Sequence, residues 1–263
     1  MPFSCNYLIY SLIFITTLFL SIYSKKHVNN ALLNICLSGK NHKNIPSSEP
    51  STEGLVGECK RWSSRNCCLK NTTKLINEKV PWYGFNVNHC NQTKNISEKC
   101  HRHFIRDACF FECSPNIGPW IKKIEGKKFA SEKFFDVPLC AEDCENWWED
   151  CKEEYTCSDN WYQGFNWING TNYCSSANGL VNNCQRIADI FKNSQGFCEN
   201  IWNYSFKYIP HLSKKPCFKL NFDGKAGNPN EKVAYDYVYN HAFVQHINYN
   251  YLYFIFFSFI ILY

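Results

Sequence analysis

Residues 138–157 carry four cysteines, Cys140, Cys144, Cys151 and Cys157, among two tryptophans and seven carboxylates. Thiols at this density do one of two things: they hold a metal or they cross-link. A zinc site needs cysteines or histidines converging at metal-ligand spacing, and no Cys-x2-Cys pair occurs in the chain. Cross-linking is therefore the expectation. Cys140, Cys144 and Cys151 fall on one stripe of an α-helix. Trp148 is placed on that stripe and Trp147 at its border, with Asp143, Glu145, Glu149 and Asp150 largely off it. Such a helix buries thiols and indoles and is tied to several neighbours.

The chain has 263 residues, enough for one large domain or two small ones. Of its 17 cysteines, Cys5 lies in an N-terminal apolar segment, which leaves 16 in the body. That even count implies an oxidising compartment and about eight disulfides. Spacing does not pair them, since 16 cysteines allow roughly two million connectivities. The adjacent Cys67 and Cys68 are expected to bond two different partners. A net charge of +5, with Lys and Arg scattered, gives no nucleic-acid signature. No enzyme is expected, because the chain lacks His-Glu-x-x-His, Gly-x-Ser-x-Gly and a phosphate loop. The histidines form no metal pattern, and His101 and His103 read as surface or packing residues. Sequons at Asn71, Asn91, Asn95, Asn169 and Asn203 agree with secretion and N-glycosylation.

Leu8 to Ile22 is apolar and is followed by Ser24-Lys25-Lys26, which reads as a signal peptide over 1–24. A retained signal anchor is the alternative. At the other end, 241–263 closes on thirteen apolar residues from Tyr251, short for a membrane span. This tail fits a glycosylphosphatidylinositol signal, with Asn240 as the attachment residue; a disordered or core-packed C-terminus is the alternative. The intervening 31–240 shows no repeat and no long linker, and reads as one domain.

Within it, Leu37 to Gly57 reads as a polar surface loop. Ile96 to Cys113 reads as a helix with Cys100, Phe104, Ile105, Cys109 and Phe111 on its apolar face. A basic hairpin is expected over Lys122–Lys133 around Gly126. Asn160 to Gly170 is an aromatic loop closed by the flanking Cys157 and Cys174. Phe197 to Tyr208 reads as an amphipathic helix carrying Cys198, Trp202, Ser205 and Phe206. A last helix opens at Asn228-Pro-Asn-Glu with Asn230 as N-cap.

Several segments together resemble the folate receptor family, which includes the egg receptor Juno and the riboflavin-binding proteins. They are Leu32-Leu-Asn-Ile-Cys36, Asn66-Cys-Cys68, Phe85 with Asn88-His-Cys90, His103-Phe-Ile-Arg-Asp107 and Glu112-Cys-Ser-Pro-Asn-Ile-Gly-Pro-Trp120. Val137-Pro-Leu-Cys140, Trp147-Trp-Glu-Asp-Cys151, Tyr155-Thr-Cys157, Ser158 to Trp161 and Gly227-Asn-Pro-Asn-Glu231 continue the match. The resemblance implies an α+β, disulfide-rich single domain of several helices and short strands. It also implies the pairs Cys36–Cys67, Cys59–Cys109, Cys68–Cys113, Cys90–Cys184, Cys100–Cys151, Cys140–Cys217, Cys144–Cys198 and Cys157–Cys174.

The same resemblance implies a ligand, folate or a related pterin, and no cofactor. Asp107 would accept the pterin N–H groups, because a buried carboxylate makes strong charge-assisted bonds to a donor pair. Phe111, a tyrosine in typical folate receptors, and Trp202 would stack on the ring. Ser205 would bond it, and Tyr83 and Phe85 would wall it. At the entrance the match loosens. Phe129 takes a tryptophan position, Ala130 replaces one pterin-contacting arginine and Lys133 a second. Tyr162-Gln-Gly-Phe-Asn-Trp167 replaces a His-Lys-Gly-Trp-Asn-Trp pattern, so Tyr162, Gln163, Gly164, Phe165 and Trp167 take the tail-contacting places. Losing cations there weakens hold on an anionic tail, with Lys127, Lys128 and Lys133 as partial compensation. The expected role is a lipid-anchored or secreted extracellular receptor that takes up folate. The alternative is a Juno-like receptor that binds a protein partner at a cell–cell contact, and riboflavin is a further ligand within the binding class.

Overall fold

The computed structural model describes residue 16 and residues 32–39, 41–48, 54–78, 83–125, 131–174 and 183–240. The expected signal peptide and C-terminal tail, and the 126–130 segment with Phe129, lie outside the described residues. We label the helices α1 (Lys70–Asn77), α2 (Glu98–Cys113), α3 (Ala141–Cys151), α4 (Ile187–Phe191), α5 (Ser194–Asn200) and α6 (230–240). The strands are β1 (Ile121–Lys123), β2 (Glu132–Phe134), β3 (Val137–Cys140), β4 (Tyr155–Thr156), β5 (Asn166–Ile168), β6 (Thr171–Tyr173), β7 (Gln185–Arg186) and β8 (Phe206–Ile209). They form four two-stranded ladders: β1·β2, β4·β7 and β5·β6 are antiparallel, and β3·β8 is parallel. Short helices and strand pairs of this kind make an α+β fold.

Helices α2 and α3 form the centre. Ser97 caps α2 by accepting from the Cys100 N–H, and Glu98 stands at the positive end of its dipole. One side of α2 buries Cys100, Phe104, Cys109 and Cys113. Its core aromatic is Phe110 at 0% exposed rather than the expected Phe111, which is half-buried. Phe110 packs on Trp62, Phe134, Phe206 and Phe218. His103 is a packing residue, its ring parallel to Trp147 and its Nε2 2.9 Å from Asp150.

Helix α3 starts at Ala141, so Cys140 is its N-cap and the end of β3. The tryptophan order is the reverse of the one expected. Trp147 is fully buried, and Trp148 is half-buried. At 100° per residue Trp147 stands nearer the middle of the Cys140/Cys144/Cys151 stripe than Trp148 does. Asp143 is on the same side and is buried too. Burial pushes its carboxyl up to about 6, while the Asn221 N–H donates to it at 3.0 Å.

All eight disulfides implied by the resemblance are present. Cys67 bonds Cys36 and Cys68 bonds Cys113, so the adjacent pair joins two different segments. Cys100–Cys151 ties α2 to α3, and Cys144–Cys198 ties α3 to α5. The bonds span 17 to 94 residues of sequence, long enough that each removes substantial freedom from the unfolded chain.

Three further expectations are corrected. The helix expected over Phe197–Tyr208 stops at Asn200. Asn203 and Tyr204 take left-handed backbone, at φ 51 and 57, which ends a right-handed helix. Phe206–Ile209 then pairs with β3, so Trp202 and Ser205 sit on a turn. The loop 37–57 is not merely surface: Leu37 and Leu55 are buried, and the His42 side chain is 2% exposed. At α6, Asn228 Oδ1 accepts from the Asn230 N–H, whereas buried Asn230 exchanges two hydrogen bonds with the Lys219 backbone. The two strands of the expected basic hairpin pair, with Ile121 opposite Phe134 and Lys123 opposite Glu132, and the expected turn at Gly126 lies outside the described residues.

Candidate ligand site

The site stands where α2, the 201–205 turn, β2 and the loop after Cys157 converge. Helix α2 supplies Asp107, which is buried. Burial pushes its carboxyl up to about 7, against a smaller opposing pull from the Trp202 indole N–H. That N–H is buried without an accepting atom at ordinary hydrogen-bond geometry. A buried carboxyl whose nearest donor, the Trp202 indole, is not at good hydrogen-bond geometry can accept from a ligand that brings its own N–H groups.

Trp202 belongs to an aromatic cluster. Its ring lies 5.5 Å from Phe85 and 5.8 Å from Trp161. Phe85 also meets Phe165 at 5.6 Å and Trp167 at 6.2 Å. Trp161 stacks on Phe104 at 4.7 Å, interplanar angle 8°. The structure thus gathers Phe85, Phe165, Trp167 and Trp202 from the expected set, and adds Trp161 and Phe104, which sequence reasoning did not name as site residues. The aromatic density of Asn160–Gly170 was the signal for Trp161. His89 closes the cluster edge, 4.7 Å from Phe165 and 4.9 Å from Trp161. Burial lowers its pKa to about 4, so it is neutral at physiological pH.

The loop that carries these aromatics is locally specified. A Cβ on Gly164 would stand 1.8 Å from Ser158 Oγ and 2.6 Å from the Asn160 carbonyl, so only glycine fits this turn. Asn169-Gly170, at φ 49 and 80, turns β5 into β6 as a two-residue hairpin. Across from it, Gly84 at φ 78 leaves room for the Gly170 carbonyl, which a Cβ would meet at 1.9 Å. This close approach brings the Tyr83–Phe85 segment against the hairpin. Trp167 is half-exposed and Gln163 exposed.

Phe111 stands one turn beyond Asp107 on α2, with its ring 5.8 Å from Phe134 and 5.5 Å from His42. Behind it is a polar network the sequence did not reveal. His42 Nε2 lies 3.2 Å from Glu112 Oε2 and 3.1 Å from the Phe111 carbonyl. Burial lowers the His42 pKa. Tyr83, at φ 53, has its phenol pKa raised by burial and by the neighbouring Glu112 carboxylate. Ser205 is buried, and its hydroxyl donates to the Trp202 carbonyl at 2.9 Å. Lys133 is buried as well, with Nζ donating to the Trp202 carbonyl at 2.7 Å and to the Asn203 carbonyl at 3.1 Å. The Tyr162 ring covers that ammonium at 3.9 Å. A separate cleft of about 300 Å³, lined by Ile76, Val87, Ile105 and Ala108 among others, shares only Phe85 with the expected site residues.

Four sequon asparagines, Asn71, Asn91, Asn95 and Asn169, are exposed. Asn203 is half-buried, and its Oδ1 accepts from Asn160 Nδ2 at 3.2 Å. Two cysteine-containing clusters, His89 with Cys157 and Cys174 and Cys90 with Cys174 and Cys184, have metal-like spacing. Their sulfurs are all in disulfides, which removes the thiolate a metal needs. No helix among the described residues is long and apolar enough to cross a membrane.

A family model described as the folate receptor family matches residues 35–219. The chain is 41% identical to folate receptor gamma of Homo sapiens over 206 residues, which is 77% of this chain and 79% of that protein. It is 40% identical to the human folate receptor alpha over the same length, 77% of this chain and 76% of the relative. The riboflavin-binding protein of Dromaius novaehollandiae is 30% identical over 190 residues, 72% of each chain. All sixteen body cysteines, from Cys36 to Cys217, lie within the matched span, so the likeness covers the cross-linked body rather than one motif, and the chain belongs to the folate receptor family.

Proposed function

We propose that this protein binds folate or a related pterin at Asp107, with the ring held by Phe111 and Trp202 and walled by Tyr83 and Phe85. The buried Asp107 carboxyl beside Trp202 carries this reading. The names of the relatives, folate receptors and riboflavin-binding proteins, support a flat vitamin heterocycle as the ligand class. The protein works as a binder that takes its ligand into the cell from the extracellular face of the plasma membrane. Four exposed sequons and eight disulfides suit that location.

Folic acid titration of the purified protein, followed by tryptophan fluorescence with riboflavin as comparison, tests the reading. The carboxylate form of Asp107 is the accepting form, and it is lost as pH falls through about 7. Apparent affinity is therefore expected to approach a tenfold fall per pH unit below that point, roughly 50-fold between pH 7 and 5. No binding at micromolar folic acid would reject the pterin reading in favour of protein recognition. The anchor has its own test: a phosphatidylinositol-specific phospholipase is expected to release the protein from cells. Retention, with the Tyr251–Tyr263 peptide still present, would reject a lipid anchor.

A further inference from the structure

We propose that Lys133 is a positioning residue, not a ligand cation: it clamps the Trp202 turn to the aromatic loop and so sets the shape of the binding slot. The turn is unfavourable by itself, because Asn203 and Tyr204 are consecutive non-glycine residues in left-handed backbone. It also aims carbonyls at one point. The Trp202 carbonyl accepts from Lys133 Nζ at 2.7 Å and from Ser205 Oγ at 2.9 Å, and the Asn203 carbonyl accepts from Nζ at 3.1 Å.

The same ammonium lies 3.9 Å from the centre of the Tyr162 ring and 4.6 Å from that of Phe135. Buried cation–π contacts of this kind are among the stronger ones. Tyr162 belongs to the loop whose start is already stitched to the turn, by Trp161 N–H to the Ile201 carbonyl at 2.7 Å and Asn160 to Asn203 at 3.2 Å. Lys133 thus joins β2, the turn and the loop at one atom. A charge committed to two carbonyls and two ring faces is not presented to the anionic tail of a ligand. It acts through Trp202 and Tyr162.

This inference rests on the pterin reading for its effect on binding, but its first measurement needs no ligand. Hydrogen exchange of the unliganded protein is expected to quicken at least tenfold at residues 201–205 and 158–165 in Lys133→Met, with α3 unchanged. Lys133→Arg, which keeps the positive charge and brings several N–H donors, is expected to stay near wild type. Tyr162→Leu, which removes only the ring beneath the ammonium, is expected to quicken exchange at 201–205 and serves if Lys133→Met does not fold. Folic acid and a tail-free pterin are expected to lose affinity for Lys133→Met by the same factor, about tenfold. Unchanged exchange in both variants, or weakening confined to folic acid, would overturn the clamp and make Lys133 a direct contact. If wild type binds neither compound, the pterin reading fails while the exchange comparison still decides the clamp.

Discussion

Asp107→Asn is expected to cost about 100-fold or more in folic acid affinity while making the unliganded protein more stable at pH 8. The two effects have one cause. Asp107 is buried, and burial lifts its carboxyl to about 7. The folded pKa lies above the unfolded value of 3.8, so between the two the native state holds a proton that the unfolded chain has released. The penalty is absent below the unfolded pKa, grows as pH rises, and is complete above about 7. Three units correspond to roughly 4 kcal/mol as an upper bound. The asparagine amide brings donors to a site arranged for an acceptor, which returns about 1–2 kcal/mol of that. A net gain of about 2 kcal/mol at pH 8 is expected in urea unfolding, shrinking to nothing near pH 5 and reversing to about 1 kcal/mol in favour of wild type near pH 4. Binding moves the other way, because a carboxylate accepting two ligand N–H groups contributes about 1.5–3 kcal/mol per bond. Equal stability of the two proteins across pH 4–8, or undiminished affinity in Asp107→Asn, would show that this carboxyl is neither strained by burial nor used by the ligand.

The second large effect concerns the core of α3. Trp147→Ala is expected to destabilise the protein by about 3–5 kcal/mol, whereas Trp148→Ala costs about 1–2 kcal/mol. Trp147 is fully buried, meets Phe104 at 5.2 Å and Phe197 at 5.3 Å edge to face, and lies over the His103 ring. No neighbour can close the space its indole leaves without moving a disulfide-bonded helix. Trp148 touches Phe197 at 5.9 Å from a half-exposed position. Thermal unfolding with disulfides intact should show a drop of about 10 °C for the first and a few degrees for the second. The assignment of Trp147 as the core tryptophan is refuted if Trp148→Ala proves the more damaging change.

Unfolding experiments on this protein should keep the eight bonds intact, since they close loops of up to 94 residues. Reduction would merge the effect of each side chain with that of the cross-links, whose stabilisation acts largely on the unfolded chain.

Cysteine count and helix periodicity in α2 are local properties, and local properties are written in the order of residues. An even set of body cysteines announced the oxidised framework, and the apolar spacing from Ile96 to Cys113 announced the α2 helix, whose Ser97 cap the structure added. The pairing of those cysteines was legible only through family resemblance, since spacing leaves the connectivity open. Asp107 and the aromatics around it were named on the same basis.

What required the folded chain were the questions of which side faces inward and what a charge meets there. Trp147 and Trp148 are neighbours in sequence, and only the position of Phe104 and Phe197 makes one core and the other margin. His42 and Glu112 stand 70 residues apart in a polar loop and an apolar helix, and neither carries a local mark of the other. Lys133 reads in sequence as the replacement of a pterin-contacting arginine that also helps hold an anionic tail, yet its partners include main-chain carbonyls that a residue code does not display. The helix expected through Trp202 failed for a related reason. Its amphipathic pattern was sound, but pairing of Phe206–Ile209 with Val137–Cys140 needs a strand there, and a parallel ladder formed across 69 residues outweighs local periodicity.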